Sequence, residues 1–334
     1  MNNTERFNKV LNFDKNADRL PMIEWAGWWD LTLNEWWAQG LPRELEIDKG
    51  INEYFGQDRH KQFWPSVREA GFPNAPHHGA PVLYDEKDYD NLRKMLFTDK
   101  LLDDLYSWIK TFQDANADKG YVYWFTLEGG FWFPRTLFGI QNHLYAFYDY
   151  PDLMHRMIDD LGTFSLKLMD VIFSLIQPAF MTLAEDMSYN HGPMLSRELY
   201  DEFVLPYYKR VVPVVRQHGT KAFIDTDGNV EPLIPWFLDG GIQGVLPLER
   251  MAGVDVNRIR ENYPDFLMIG GFDKTIMHKG EAALRAEFER VMPAMKAGGY
   301  IPAVDHQTPP AVSLEDYKTY MKLMLEYSTK ANEK

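Results

Sequence analysis

Short apolar runs, each followed by a stretch with helical spacing, recur along most of this chain, and that alternation constrains the fold more than any other feature. The runs are PMIEWAGWW (21–29), YVYWFTLEGG (121–130), AFMTLAEDMS (179–188), KAFIDTDGN (221–229), QGVLPLE (243–249), FLMIGGFD (266–273) and YIPAVDH (300–306). Between them, residues 151–176 place apolar side chains three and four apart behind Pro151, and 313–327 open on Ser313 with Asp316 three residues on. Seven strands alternating with helices predict an α/β fold, a (β/α)8 TIM barrel. The region from about 40 to 120 is undecided, and PVLYD (81–85) is a candidate eighth strand or an edge hairpin. No G-x-G-x-x-G follows the first run and no P-loop occurs, which disfavours an open nucleotide-binding sheet.

No fixed-period repeat and no Gly/Ser- or Pro-rich linker divides the 334 residues. The expectation is one barrel domain over 1–334, with an N-terminal helical or loop extension over about 1–20. With 45% hydrophobic and 25% charged residues, the chain can bury a large core. A formal charge of -14 argues against a nucleic-acid partner, whose phosphates need Lys and Arg. No apolar run suits a membrane span and the first residues lack a secretory h-region, as expected of a cytoplasmic protein. There is no cysteine, so a metal could be held only by oxygen and nitrogen.

In a (β/α)8 barrel the reacting groups come from the C-terminal ends of the strands. Those ends here carry Glu128, Glu185 and Asp186, Asp225 and Asp227, Glu249, Asp273, and Asp305 with His306. A single acid there is as readily a helix cap. Several converging carboxylates repel one another and must share protons or bind a cation. Asp225, Asp227, His306 and Glu185 are therefore the catalytic candidates, and Glu128, Asp186, Asp273 and Asp305 the substrate-binding ones. His306, the one histidine at a predicted strand end, suits a zinc site or a proton relay; His77, His78 and His191 read as solvated loop residues. Five of the ten tryptophans lie within residues 25–37. Trp36 and Trp37 read as filler between barrel and helices, and Trp25, Trp28 and Trp29 as walls for a flat, aromatic or methylated ligand.

The chain resembles uroporphyrinogen decarboxylase and its relatives, the corrinoid-protein methyltransferases. The resemblance is carried by RFNKVLNFDKNADRLPMIEW, EGGFWFPRTLFGIQNHLYAFYDYPDLMHRMID, AEDMSYNHGPMLSRELYDEFVLPYYKRVV, KAFIDTDGNVEPLIPWFLDGGIQGVLPLE, IGGFDKTIM and GGYIPAVDHQTPPAVSLEDYKTYM, in order from about residue 5 to 327. It implies one (β/α)8 barrel that either decarboxylates a tetrapyrrole without a cofactor or moves a methyl group with zinc. The decarboxylases carry an R-x-x-G-R-type run after the first strand to meet eight substrate carboxylates; here the stretch reads EWAGWWDLTLNEWW, without a basic residue. The zinc methyltransferases carry His-x-Cys on the strand that here reads FIDTDGN, and a further Cys near the last strand. Asp225, Asp227 and His306 stand at those places, so the implied Zn2+ set is an oxygen/nitrogen one, Asp227, Glu249 and His306.

The function expected is methyl transfer from a small methylated substrate, such as a methoxylated aromatic, to a corrinoid supplied by a partner protein. The alternative is a metal-free decarboxylase or lyase acting on a smaller, less anionic substrate. A non-catalytic binding protein is a third reading, disfavoured because unpaired carboxylates cost stability.

Overall fold

The computed structural model describes residues 1–45, 50–117 and 119–333. Seven parallel strands form one curled sheet in chain order: β1 (His60–Phe63), β2 (Val122–Glu128), β3 (Phe180–Ala184), β4 (Lys221–Asp225), β5 (Gly244–Leu246), β6 (Leu267–Phe272) and β7 (Tyr300–Val304). β2, β3 and β6 are buried almost throughout, which explains their near-continuous apolar reading. In register, Thr126 faces Thr182 and Ala184 faces Asp225. The Trp124 ring stacks on Phe180 at 4.9 Å, and the Thr126 and Thr182 hydroxyls share a buried hydrogen bond of 2.7 Å.

Helices pack outside the sheet, among them α1 (Asn3–Leu11), α2 (Asp30–Ala38), α3 (Asp99–Asn116), α4 (Trp132–Phe138), α5 (Pro151–Leu175), α6 (Leu205–Gln217), α7 (Glu281–Ala297) and α8 (Leu314–Lys330). In α5 the buried positions Leu153, Met154, Met157, Ile158 and Leu161 follow the spacing read from the sequence. Ser313 caps α8 as expected, its hydroxyl accepting the Asp316 N–H. The N-terminal extension contains α1, capped by Asn2 and Glu5 in a capping box. Among the described residues no helix is long and apolar enough to cross a membrane.

Two expectations are corrected. Residues 21–29 are not a strand, and PVLYD is an irregular segment whose Val82 and Leu83 N–H groups both reach the Leu137 carbonyl. The strand at the β1 edge is instead HKQF, which the sequence disguises as polar. Around residues 20–25, side chains replace most of a ladder. Asp58 Oδ2 accepts the Met22 N–H at 2.9 Å, and Met22 C=O accepts the Asp58 N–H at 2.8 Å. On the other side Glu24 Oε2 accepts the Val304 N–H at 3.0 Å, and the Trp25 indole N–H donates to Val304 C=O at 3.1 Å. This segment thus touches both edges of the sheet without joining its ladder. Pro21 has no N–H to offer in any case.

Glu24 is a buried carboxyl with, among the described residues, only the Val304 N–H and the Tyr320 hydroxyl (3.0 Å) as donors, and burial pushes it up to about 8. It is protonated at neutral pH, which removes the cost of a charge in that wall.

Candidate functional site

At the C-terminal ends of β3, β4 and β7 the chain turns directly into Glu185–Asp186, Thr226–Asp227 and Asp305–His306, and these turns surround a cavity of about 320 Å³. Its walls are Trp25, Trp64 and Trp132; Asp186, Asp225, Asp227, His306 and Gln307 line the rest with Glu185 behind them. Trp25 meets the His306 ring edge-on, centroids 5.8 Å apart at 84°. Its indole hydrogen bond to Val304 C=O holds it there.

The Asp227 loop is pinned from two sides. The Thr226 hydroxyl accepts the Met187 N–H at 2.9 Å, and the Ser188 hydroxyl donates to Asp227 C=O at 2.6 Å. The adjoining Gly228 N–H donates to Glu249 Oε2 at 3.0 Å, while Lys274 Nζ donates to Glu249 Oε1 at 3.0 Å. Asp227 Oδ2 lies 3.7 Å from His306 Nε2. Burial, then the charges of Asp186 and Glu249, push the Asp227 carboxyl up to about 7. Burial, then Lys274, holds the His306 imidazole below its ordinary value. The pair at neutral pH is a carboxyl near the midpoint of its titration beside a neutral imidazole. Asp225 is pushed well above the carboxylate range by burial, then by Asp227 and Asp186, and its carboxyl has no hydrogen-bond partner among the described residues.

Other acids at the strand ends have structural work. Glu185, expected to be catalytic, accepts four donors: the N–H groups of Gly130 (3.0 Å), Phe131 (2.8 Å) and Trp132 (3.1 Å) and the Tyr208 hydroxyl (2.6 Å). It anchors the turn that aims Trp132 into the cavity, and a Cβ on Gly129 would sit 2.0 Å from its carboxyl carbon. Its lone pairs are spent. Glu128 is buried and paired with Arg68 at 2.5 and 3.2 Å. Asp273 caps the turn after β6, accepting the Thr275 N–H and hydroxyl at 2.8 and 2.6 Å. Asp305 is wholly buried and ties two loops by accepting the N–H groups of Arg250 (2.8 Å) and Lys274 (3.1 Å). These three are not placed to bind a substrate in this cavity. Asp186 is, and its backbone C=O accepts Arg135 Nη1 at 2.6 Å.

The tryptophans divide differently from expectation. Trp25 is a wall, but Trp28 is buried against Trp36, Phe55 and Tyr317, and Trp29 stands 44% exposed ahead of α2. Trp64 and Trp132 take the places assigned to them. Trp64 directly follows the end of β1, the signal that could have found it, but β1 reads as polar; Trp132 lies four residues past Glu128 at the end of β2. Arg135 stacks over Trp132 at 5.3 Å, so a guanidinium does stand near the acids, contrary to the reading from residues 24–37.

The expected zinc set does not assemble. Asp227 and His306 are close enough to share an ion, but Glu249 is held by the Lys274 ammonium and the Gly228 N–H. Among the described residues no group of three His, Asp or Glu side chains is arranged to hold a metal. The donor set does not fit a metal centre.

The family model described as Uroporphyrinogen decarboxylase (URO-D) matches residues 69–327. The chain belongs to the uroporphyrinogen decarboxylase family. It is 26% identical over 181 residues to uroporphyrinogen decarboxylase from Azotobacter vinelandii (strain DJ / ATCC BAA-1303), covering 49% of this chain and 46% of that protein. The same figures hold for uroporphyrinogen decarboxylase from Pseudomonas aeruginosa (strain LESB58). The match thus spans less than half the length of these relatives. Among solved structures, a putative vitamin-B12 independent methionine synthase from Listeria monocytogenes aligns with a TM-score of 0.36 and 12% identity, over 77% of this chain and 98% of that one. Membership of the URO-D family, whose enzymes include decarboxylases and methyltransferases, is compatible with either activity.

Proposed function

We propose that this URO-D family member closes as a (β/α)8 barrel and is a methyltransferase that takes the methyl group of a small, uncharged methoxylated aromatic and passes it to a reduced corrinoid on a partner protein. The observation that carries the reading is the cavity: three indoles around about 320 Å³, ending at Asp227 and His306, with no Lys or Arg among the described residues that line it. That volume is at the small end for ligand sites and suits one aromatic ring. With no Lys or Arg among the described residues of its lining, the cavity offers nothing to pair the charges of a polyanion such as a tetrapyrrole bearing eight carboxylates.

An aryl methyl ether gives up its methyl group more readily when the oxygen leaves as a phenol than as a phenolate. Asp227 supplies the proton: the O–CH3 bond breaks, the methyl joins the corrinoid nucleophile, and the electron pair left on oxygen takes the Asp227 proton. His306, part-exposed and 3.7 Å away, relays a proton from solvent to restore the carboxyl. Trp25, Trp64 and Trp132 hold the ring and exclude water.

A second reading, a metal-free decarboxylase of a smaller and less anionic substrate, is favoured by Asp225, a desolvated, unbonded acid able to protonate a carbanion. One assay separates the two. The protein is given monomethoxylated phenols with a corrinoid protein and reductant, and, separately, aromatic carboxylates, and phenol and CO2 are quantified. Phenol formation that falls about 10²-fold or more in Asp227→Asn supports methyl transfer. CO2 without phenol supports the second reading, and phenol formation indifferent to Asp227→Asn overturns the proposed role of that acid.

A further inference from the structure

A second cleft lies at the other end of the sheet. It encloses about 660 Å³ where β4 and β6 begin, beneath the loop that follows α1. Lys221 opens β4 and Asp225 closes it, so the two cavities stand roughly 13 Å apart along that strand at ~3.3 Å per residue. Leu11, Phe13, Leu238 and Ile242 give it apolar lining, and Arg216 and Lys221 line it as well.

The charges lining this cleft are Arg216, Lys221 and Asp265, a net of +1 on a chain of formal charge -14. Asp265 acts on the neighbouring Arg260, whose Nη1 and Nη2 are tied to the carbonyls of Pro264 (2.5 Å) and Gly299 (3.2 Å). Among the described residues neither Arg216 nor Lys221 has an ion-pair partner. Lys221 is partly buried, and its ammonium is held below the ordinary lysine value first by that burial and then by the charge of Arg216. Two like charges that sense each other in a partly dry cleft are a local cost that a bound anion removes. Gln243 Oε1 accepts the Ala222 N–H at 3.3 Å, which leaves its amide N–H groups as further donors.

We propose that this cleft binds an organic anion with an apolar body, the anionic group between Arg216 and Lys221 and the body against Leu11, Phe13, Leu238 and Ile242. The site is independent of the acid cavity and of the reaction assigned to it. Active sites of barrel enzymes occupy the opposite face, so occupancy here acts on the fold rather than on the chemistry.

The test uses the full chain and 8-anilino-1-naphthalenesulfonate, a sulfonate on a flat apolar body, titrated by calorimetry and fluorescence. Saturable binding near one equivalent is expected, at least tenfold weaker in Arg216→Gln/Lys221→Gln and weakened by salt. N-phenyl-1-naphthylamine, the same rings without the sulfonate, should bind wild type at least tenfold more weakly. Arg216→Gln alone alters an exposed side chain, keeps the fold by circular dichroism, and should weaken the probe about threefold or more. Asp227→Asn should bind it as wild type does. Absence of saturable binding, undiminished binding in the double variant, equal binding of the uncharged analogue, or loss of the probe in Asp227→Asn overturns the proposal.

Discussion

Asp58 joins the segment that carries Trp25 to the β1 edge, and Asp58→Asn should be among the most damaging single changes away from the cavity. Its carboxylate is 3% exposed and accepts Arg6 Nη1 at 3.1 Å, Arg19 Nη1 and Nη2 at 2.9 and 2.5 Å, and the Met22 N–H at 2.9 Å. An amide removes the charge that Arg6 and Arg19 face. Its NH2 then confronts donors where an acceptor stood. Arg6 keeps Asp18 through two bonds of 2.8 Å, which limits the loss; among the described residues Arg19 has only the Leu20 carbonyl at 2.9 Å to fall back on. Removing one partner of a buried ion pair costs about 3–5 kcal/mol. The assay is urea unfolding followed by circular dichroism, with Asp18→Asn as the control. Asp18 is 42% exposed, and its loss should cost about 1 kcal/mol or less. A loss in Asp58→Asn no greater than in the control would refute the view that this carboxylate replaces a strand's ladder.

Three further outcomes follow from the same geometry. His143 is wholly buried against Phe131 and Phe147 with neither ring nitrogen hydrogen-bonded, and burial drives it down to about 3. Because the unfolded chain takes up the proton first, its share of stability is lost as pH falls from about 6.5 towards 3, by up to ~1.4 kcal/mol per pH unit. His143→Phe should abolish that part of the slope and be neutral or stabilising at pH 7, as thermal melts at several pH values would show. Lys274→Met removes a charge that lowers both Asp227 and His306, so both pKa values should rise and the acid-dependent limb of the rate profile move to higher pH. A chelator such as EDTA should leave turnover unchanged, and loss that zinc restores would contradict the reading of Glu249 as a partner of Lys274.

The strands from β2 to β7 were legible because each is a buried apolar run between helical patterns. β1 was not, because His60, Lys61 and Gln62 read as polar although Lys61 and Phe63 point inward. The reverse error at 21–29 has a matching cause: apolar composition signals burial, and only the structure shows Asp58 and Glu24 taking the N–H groups of Met22 and Val304. Asp225, Asp227, His306 and Trp25, expected from their places in the sequence, come together at one cavity. Glu128, Asp273 and Asp305 carried the same signature, since a capping, paired or loop-tying acid and a reacting one look alike at a strand end. What separates them is the number of donors each accepts.

The proposed proton transfer needs Asp227 to hold a proton near neutrality beside a neutral His306. Infrared difference spectroscopy of the carboxyl band, wild type against Asp227→Asn across pH 3 to 9, measures it without any substrate. Asp227 should titrate at about 7. Titration near the ordinary aspartate value of about 4 would contradict it.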